Sequence, residues 1–139
     1  MNSVLEEQII ISLGSNLGDR LNALYKALAL LEAYPISIRL LSKVYETPAW
    51  GFKGDPFYNA CVSIKTKLKP KDLLEVLLKV EKTMGRLPSK GKEYSSRTID
   101  LDLLFYKSKN IFSAKLKVPH PKLHKRNFVL APLCEIAPK

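Results

Sequence analysis

Two helix-period apolar stripes, each set between strand-period segments, constrain this chain more than any other feature. Leu21, Leu24, Leu28 and Leu31 recur at the spacing of one helix face, and Leu73, Leu77, Val80 and Met84 repeat the pattern. Ahead of the first stripe, Ile9-Ile-Ile-Ser-Leu13 is an apolar run of the length of a buried strand. Between the stripes, Ile36, Ile38, Leu40 and Val44 alternate with Ser37, Arg39, Leu41 and Tyr45. Ala60, Val62, Ile64 and Leu68 likewise alternate with Asn59, Cys61, Ser63 and Lys65. After the second stripe, Ile99, Leu101, Leu103 and Phe105 alternate with Asp100, Asp102, Leu104 and Tyr106. Period two marks a strand whose successive side chains face opposite ways. The order is β-α-β-β-α-β, an α+β, ferredoxin-like core with helices packed on an antiparallel sheet.

The punctuation agrees with the periodicity. Gly14-Ser-Asn-Leu-Gly18 reads as a tight strand-to-helix turn, and Asp19 as the N-cap of the first helix, which ends near Tyr34-Pro35. Pro70 suits the start of the second helix and Gly85 its stop. Thr47 to Pro56, rich in Pro and Gly, is a loop. Leu87 to Ser96 has no apolar period and several charges, so an exposed segment that orders with ligand is expected. C-terminal additions follow the core: a short hairpin near Ile111–Phe112, Val118-Pro-His-Pro121, and a helical or irregular stretch from Leu123 to Ile136. With no repeats and no compositional boundary, residues 1–139 read as a single domain.

Composition narrows the class. No apolar run approaches a membrane span, and Met1 to Glu7 lacks the basic start of a signal peptide. The two cysteines match no zinc spacing and are too few for a disulfide framework, which points to reduced core thiols in a cytoplasmic protein. The net charge of +10 is unevenly placed: residues 1–69 hold 8 Lys/Arg against 6 Asp/Glu, and residues 70–139 hold 15 against 7. A basic half suits nucleotide phosphates, nucleic acid or a solvated lysine-rich surface, and charge alone does not choose among them.

Asp100 and Asp102 are the sharpest chemical signal. At about 3.3 Å of rise per residue, two carboxylates at i and i+2 share one strand face with backbones roughly 7 Å apart. Like charges that close repel, and burying them unpaired is costly. Two hard divalent ions, typically about 3.5–4 Å apart in two-metal sites, would balance them, and such sites perform phosphoryl chemistry. A solvated face of an edge strand is the other accommodation for a bare Asp-x-Asp. Arg97 and the basic residues around it favour a bound polyphosphate.

Other candidates divide less sharply. Gly14 to Arg20 lacks the Lys and Ser/Thr of a phosphate loop, so its glycines are read as structural. Trp50, Phe57 and Tyr58 offer flat apolar faces beside the hydrogen-bonding Thr47 and Asn59, as a planar heterocycle would need, and as a loop anchored by core aromatics would also contain. Glu81, at the flank of the second stripe, is either a surface charge or a site carboxylate. His120 and His124 are four apart, but Pro119 and Pro121 oppose a helix and no acidic or Cys ligand is near, which disfavours zinc. His120 with Lys122, Lys125 and Arg126 suits phosphate, or is part of a solvated basic stretch.

Several motifs in one order carry more weight than any of them singly. Ser12-Leu-Gly-Ser-Asn16, Tyr45-Glu-Thr-Pro48, Asn59-Ala60, Met84-Gly-Arg86, Arg97-Thr-Ile-Asp-Leu-Asp102 and Val118-Pro-His-Pro-Lys-Leu-His-Lys-Arg-Asn-Phe-Val-Leu-Ala-Pro132 closely resemble the 6-hydroxymethyl-7,8-dihydropterin pyrophosphokinase family of folate biosynthesis. The match runs from Ile9 to Pro138. It implies diphosphate transfer from ATP to the hydroxymethyl group of the pterin, releasing AMP. By the same resemblance Asp100 and Asp102, with Arg97 as a further catalytic group, hold two Mg²⁺ ions that bridge the phosphates and the attacking hydroxyl. Arg97, Lys115, His120 and Arg126 would grip ATP, with Leu103 against the base and Glu81 among the nucleotide contacts. Thr47, Pro48, Trp50, Phe57, Asn59 and Phe128 would form the pterin pocket, the ring lying between Phe57 and Phe128. A monomer that engages neither nucleic acid nor membrane is implied.

The departures from the family pattern fall in the lid and at the end of the chain. Pro88 and Tyr94-Ser-Ser-Arg97 stand where relatives often carry an Arg and a Trp-Gly-Pro-Arg, and Glu93 stands where a basic residue is common. Tyr94 closes over the pterin in this scheme, and Lys90 or Lys92 replaces the lost phosphate contacts. Leu78 occupies a place where a polar residue sometimes serves the nucleotide site. Many relatives continue past Glu135-Ile-Ala-Pro138, whereas this chain stops at Lys139, as a short natural form or as a fragment. Two other classes compete with this reading. A basic ferredoxin-like nucleic-acid-binding module would want aromatics on the central strands, where this chain puts two aspartates. A two-metal nuclease or nucleotidyltransferase would share the aspartates, and only the pterin-type pocket that the resemblance implies argues against it.

Overall fold

The computed structural model of this chain describes residues 8–16, 18–47, 56–85 and 99–107, together with the backbone of 111–112 and 117–118. Among the described residues, seven strands and two helices run in the order β1 (Ile9–Ser15), α1 (Arg20–Glu32), β2 (Ile36–Leu41), β3 (Tyr45–Thr47), β4 (Phe57–Thr66), α2 (Pro70–Thr83), β5 (Asp100–Tyr106), β6 (Ile111–Phe112) and β7 (Lys117–Val118). The main sheet is ordered β2-β4-β1-β5, with β3 paired to the start of β4 and every pairing antiparallel. This is the ferredoxin-like α+β arrangement that the periodicity implies. β6 and β7 form the short hairpin expected after the core.

Local chemistry sets the helix ends. Asp19 is extended, and its Oδ1 accepts from the Asn22 N–H at 3.1 Å, satisfying one of the orphan donors of α1. Pro70 opens α2 at a position where its missing N–H costs nothing; Asp72 in the first turn and Lys82 in the last complement the helix dipole. Gly85 follows with φ +92, the left-handed conformation of a helix stop.

Both helices cover one face of the sheet. Ile9, Ile11 and Leu13 of β1, Ala60, Val62 and Ile64 of β4, and Leu101 and Leu103 of β5 join Leu24, Leu28, Leu31, Leu73, Leu77 and Val80 in one buried cluster. Each fully buried aliphatic side chain here contributes about 1.5–3 kcal/mol. Ala23 and Ala27 belong to the cluster as well, whereas Leu21 is exposed. The stripe of α1 is therefore turned toward its alanines, whose small side chains let the helix lie close to the sheet.

Three strand expectations change. The second predicted strand is two, because the backbone breaks at Ser42, whose N–H donates to Cys61 O and whose Oγ accepts from the Cys61 N–H, both at 2.9 Å. In β5 a bulge lets Leu103, Leu104 and Phe105 span only Ile11 and Ile10 of β1. The alternation flips there, so Tyr106 rather than Phe105 enters the core, and its hydroxyl donates to Leu68 O. Gly14, read as part of a turn, lies within β1. Only Gly18, at φ +66, has the turn conformation.

Candidate active site

Strand register gathers the site. Gly14 opposes Asn59 of β4 on one side and Asp100 of β5 on the other; Ser12 opposes Cys61 and Asp102. Residues directly opposed in antiparallel strands share a face. Leu13, Ala60 and Leu101, one step along, belong to the helix-side cluster, so the rows through Gly14 and Ser12 face away from the helices. β3 widens this face: Tyr45 opposes Asn59 and Thr47 opposes Phe57. Five residues predicted for two different ligands, Thr47, Phe57, Asn59, Asp100 and Asp102, thus stand on one face.

Asn59 is buried and tightly held. Its Nδ2 donates to Thr47 Oγ1 at 2.6 Å. Its Oδ1 lies over Gly14, so close that a Cβ on that residue would be 2.9 Å away, with Phe57 Cδ1 at 3.5 Å. The missing side chain of Gly14 is what lets a buried amide and a half-buried aromatic ring lie over the centre of the sheet.

Asp100 and Asp102 are both half-buried, on the outermost strand of the sheet among the described residues. Among the described residues, no group of three or more His, Cys, Asp or Glu side chains forms a metal cluster. Two hard oxygen donors on one face fit a hard divalent cation of the Mg²⁺ kind, which commonly takes one or two carboxylates and fills its remaining positions with water and phosphate oxygens.

Two residues expected to contact the nucleotide, Leu103 and Glu81, are buried. Leu103 is 3% exposed and packs in the helix-side cluster, on the face opposite the aspartates, because it keeps the alternation of Leu101. Glu81 is 4% exposed, and its Oε2 accepts from the Leu101 N–H at 2.7 Å. That oxygen is directed at the backbone of β5. Leu78 is exposed. Pro48, Trp50, Lys90, Lys92, Tyr94, Arg97, Lys115, His120, Arg126 and Phe128 lie outside the described residues, as do the segments Leu87–Ser96 and Leu123–Ile136.

Sequence reasoning missed two contributors. The first is Gly14, whose strand position only register reveals. The second is Arg20, which joins the two ends of the loop between β3 and β4. Its Nη1 donates to Pro56 O at 2.7 Å and meets Glu46 Oε2 at 3.4 Å, while the guanidinium lies 4.0 Å from the centre of the Tyr58 ring. Cys61, beside Ser12 on the same face, is fully buried, and burial pushes its thiol up to about 12.

The family model described as 7,8-dihydro-6-hydroxymethylpterin-pyrophosphokinase (HPPK) matches residues 10–138, and this chain belongs to that family. It is 41% identical over 133 residues to the 2-amino-4-hydroxy-6-hydroxymethyldihydropteridine pyrophosphokinase of Porphyromonas gingivalis, covering 94% of this chain and 90% of that protein. To the protein of the same name from Aquifex aeolicus it is 44% identical over 131 residues, covering 94% and 80%. It is also 46% identical over 131 residues to the folate synthesis bifunctional protein of Arabidopsis thaliana; there the match covers 94% of this chain but only 27% of the longer protein. A solved structure, described as HPPK-DHPS in complex with substrates, has the same fold, with a TM-score of 0.69 at 14% identity, covering 94% of this chain and 40% of that one. Among the described residues no helix is long and apolar enough to cross a membrane.

Proposed function

We propose that this chain is a pyrophosphokinase that transfers diphosphate from ATP to the hydroxymethyl group of 6-hydroxymethyl-7,8-dihydropterin, giving AMP and the pterin diphosphate for folate biosynthesis. The family membership supports the reaction class. The observation that supports the reading is the row Asn59–Gly14–Asp100, which sets a buried amide and the carboxylate pair on one face.

Each described residue then has a definable task. Asn59, fixed by Thr47, offers directional hydrogen bonding to the edge of the pterin, and Phe57 offers a flat face for its ring. Asp100 and Asp102 are the residues to hold Mg²⁺, two ions in this proposal, whose chemistry when bound is to neutralise charge on the triphosphate oxygens. Arg97, Lys115, His120 and Arg126 are proposed as the cationic grip on ATP, with Lys90 or Lys92 in support, and Pro48, Trp50, Tyr94 and Phe128 as the rest of the pterin pocket. Positioning and charge neutralisation supply the rate, as expected where phosphoryl groups move. The same proposal has the enzyme act as a monomer in the cytoplasm.

The test is a reaction with ATP, Mg²⁺ and the reduced pterin, followed by mass spectrometry. AMP and a pterin carrying two phosphoryl groups are expected. Stoichiometric ADP with a singly phosphorylated pterin would defeat the assignment. An absence of pterin-dependent ATP consumption would bring back the nucleic-acid-binding alternative.

A further inference from the structure

Glu81 is an expensive residue for its place. It borders the buried stripe of α2 and is 4% exposed, where a leucine would pack without the cost of desolvating a carboxylate. What the acid provides is an acceptor for the Leu101 N–H, at 2.7 Å. Among the described residues β5 is the last strand of its sheet, and such a strand turns alternate backbone N–H groups away from its one ladder partner. Leu101 is itself buried, so an unmet N–H there would be costly.

The bonded N–H belongs to the planar peptide joining Asp100 to Leu101. Fixing that plane fixes ψ of Asp100 and φ of Leu101, two of the torsions that set the Asp100 carboxylate relative to that of Asp102. A hydrogen bond to a carboxylate is roughly twice as strong as a neutral one, which suits a brace. Resting on the assignment of Asp100 and Asp102 as the metal-holding pair, we infer that Glu81 is a positioning residue: it pins the Asp100–Leu101 peptide from the helix side and so sets the spacing of the two carboxylates on the other side.

Glu81→Leu removes the acceptor while keeping bulk, and Glu81→Gln keeps an acceptor oxygen without the charge. Binding of Mn²⁺ with a non-hydrolysable ATP analogue, followed by calorimetry, is expected to weaken about 10- to 100-fold in Glu81→Leu, the range typical of residues that orient metal ligands. Glu81→Gln is expected to recover most of that loss. The analogue without metal should bind both variants as it binds the parent; weakening there would mean a direct nucleotide contact and would overturn the inference. Hydrogen exchange should quicken at the Leu101 amide while Ile11 and Leu13 of the central strand keep their rates. Uniform quickening with parental Mn²⁺ affinity would reduce Glu81 to a stability role and overturn it too. If Glu81→Leu does not fold, Glu81→Asp, which withdraws the carboxylate by one methylene, must show the same weakening, and parental affinity in it refutes the brace. Asp102→Asn run alongside separates the two levels. If it binds Mn²⁺ like the parent, the metal-pair assignment falls and the brace with it; if it loses Mn²⁺ while Glu81→Leu does not, only the brace falls.

Discussion

Gly14 and Asn59 face each other across β1 and β4 with no room for another atom between them: a Cβ on Gly14 would lie 2.9 Å from Asn59 Oδ1. Asn59 cannot easily yield, being buried and tied to Thr47 at 2.6 Å. Gly14→Ala should therefore displace the amide. Asp100, on the other flank, is not among the nearest atoms that such a Cβ would meet. Pterin affinity is expected to fall about tenfold or more, equivalent to about 1.4 kcal/mol, while affinity for an ATP analogue stays within about twofold, well inside that margin. Parallel titrations of the two ligands check this; equal losses for both would mean general distortion.

Thr47→Val preserves shape and removes the oxygen that Asn59 Nδ2 reaches. The buried N–H is left unsatisfied, at about 1–3 kcal/mol of stability. Urea unfolding should register that loss, and pterin binding should weaken because the amide is free to turn. A parental midpoint together with parental pterin affinity would show that Thr47 does not orient Asn59.

Asp100→Asn and Asp102→Asn each remove one negative charge from a half-buried position and, on the proposed function, one hard-ion ligand. Metal stabilisation of phosphoryl charge is worth several kcal/mol, so kcat should drop about a hundredfold or more with the fold retained. Turnover at limiting Mg²⁺, read beside the melting curve, is the measurement. Near-normal turnover in both folded variants would remove the two-carboxylate site.

Arg20 and Glu46 should contribute unequally although they are paired. The ion pair is 3.4 Å long, and the Glu46 side chain is 55% exposed, where solvent leaves little net energy. Arg20 also donates to Pro56 O and lies over the Tyr58 ring, which a lysine cannot reproduce with one compact ammonium. Arg20→Lys is expected to cost about 1 kcal/mol and Glu46→Gln less than about half that. Chemical denaturation of the two variants compares them directly.

Cys61 sets an alkaline limit. Its thiol titrates near 12 when folded against 9.0 when unfolded, so the folded chain keeps its proton where the unfolded chain releases it. The resulting stability is complete below pH 9.0 and is lost progressively as pH rises toward about 12. In a Cys134→Ser background, a thiol reagent at pH 8 should modify Cys61 only on unfolding. Cys61→Ala should flatten the alkaline part of the stability curve.

What the sequence made legible follows from what periodicity encodes. The stripe Leu73, Leu77, Val80, Met84, the cap at Asp19 and the shared face of Asp100 and Asp102 depend on local spacing, and each was readable along the chain. Gly14, Tyr106 and Glu81 depend on what lies across from them. A glycine in a strand looks like a glycine in a turn until its partners are known. The β5 bulge moves Tyr106 inward without a mark in composition, and nothing near Glu81 in sequence announces Leu101, twenty positions on. Thr47, Phe57 and Asn59 were placed in a pocket by resemblance; their own residue types allowed an aromatic-anchored loop equally well.

The central strand also acts as a gauge. Asn59 and Asp100 flank β1 in one row, so their backbones stand two strand spacings apart, roughly 9.5 Å. That interval is set by the ladder hydrogen bonds that hold β1 between β4 and β5. A pterin and a triphosphate anchored at its two ends would meet at a fixed separation whatever the loops do. A slip of one residue in β1 would turn Gly14 toward the helices and put the side chain of Leu13 or Ser15 between the two anchors, where even a Cβ is too close to Asn59.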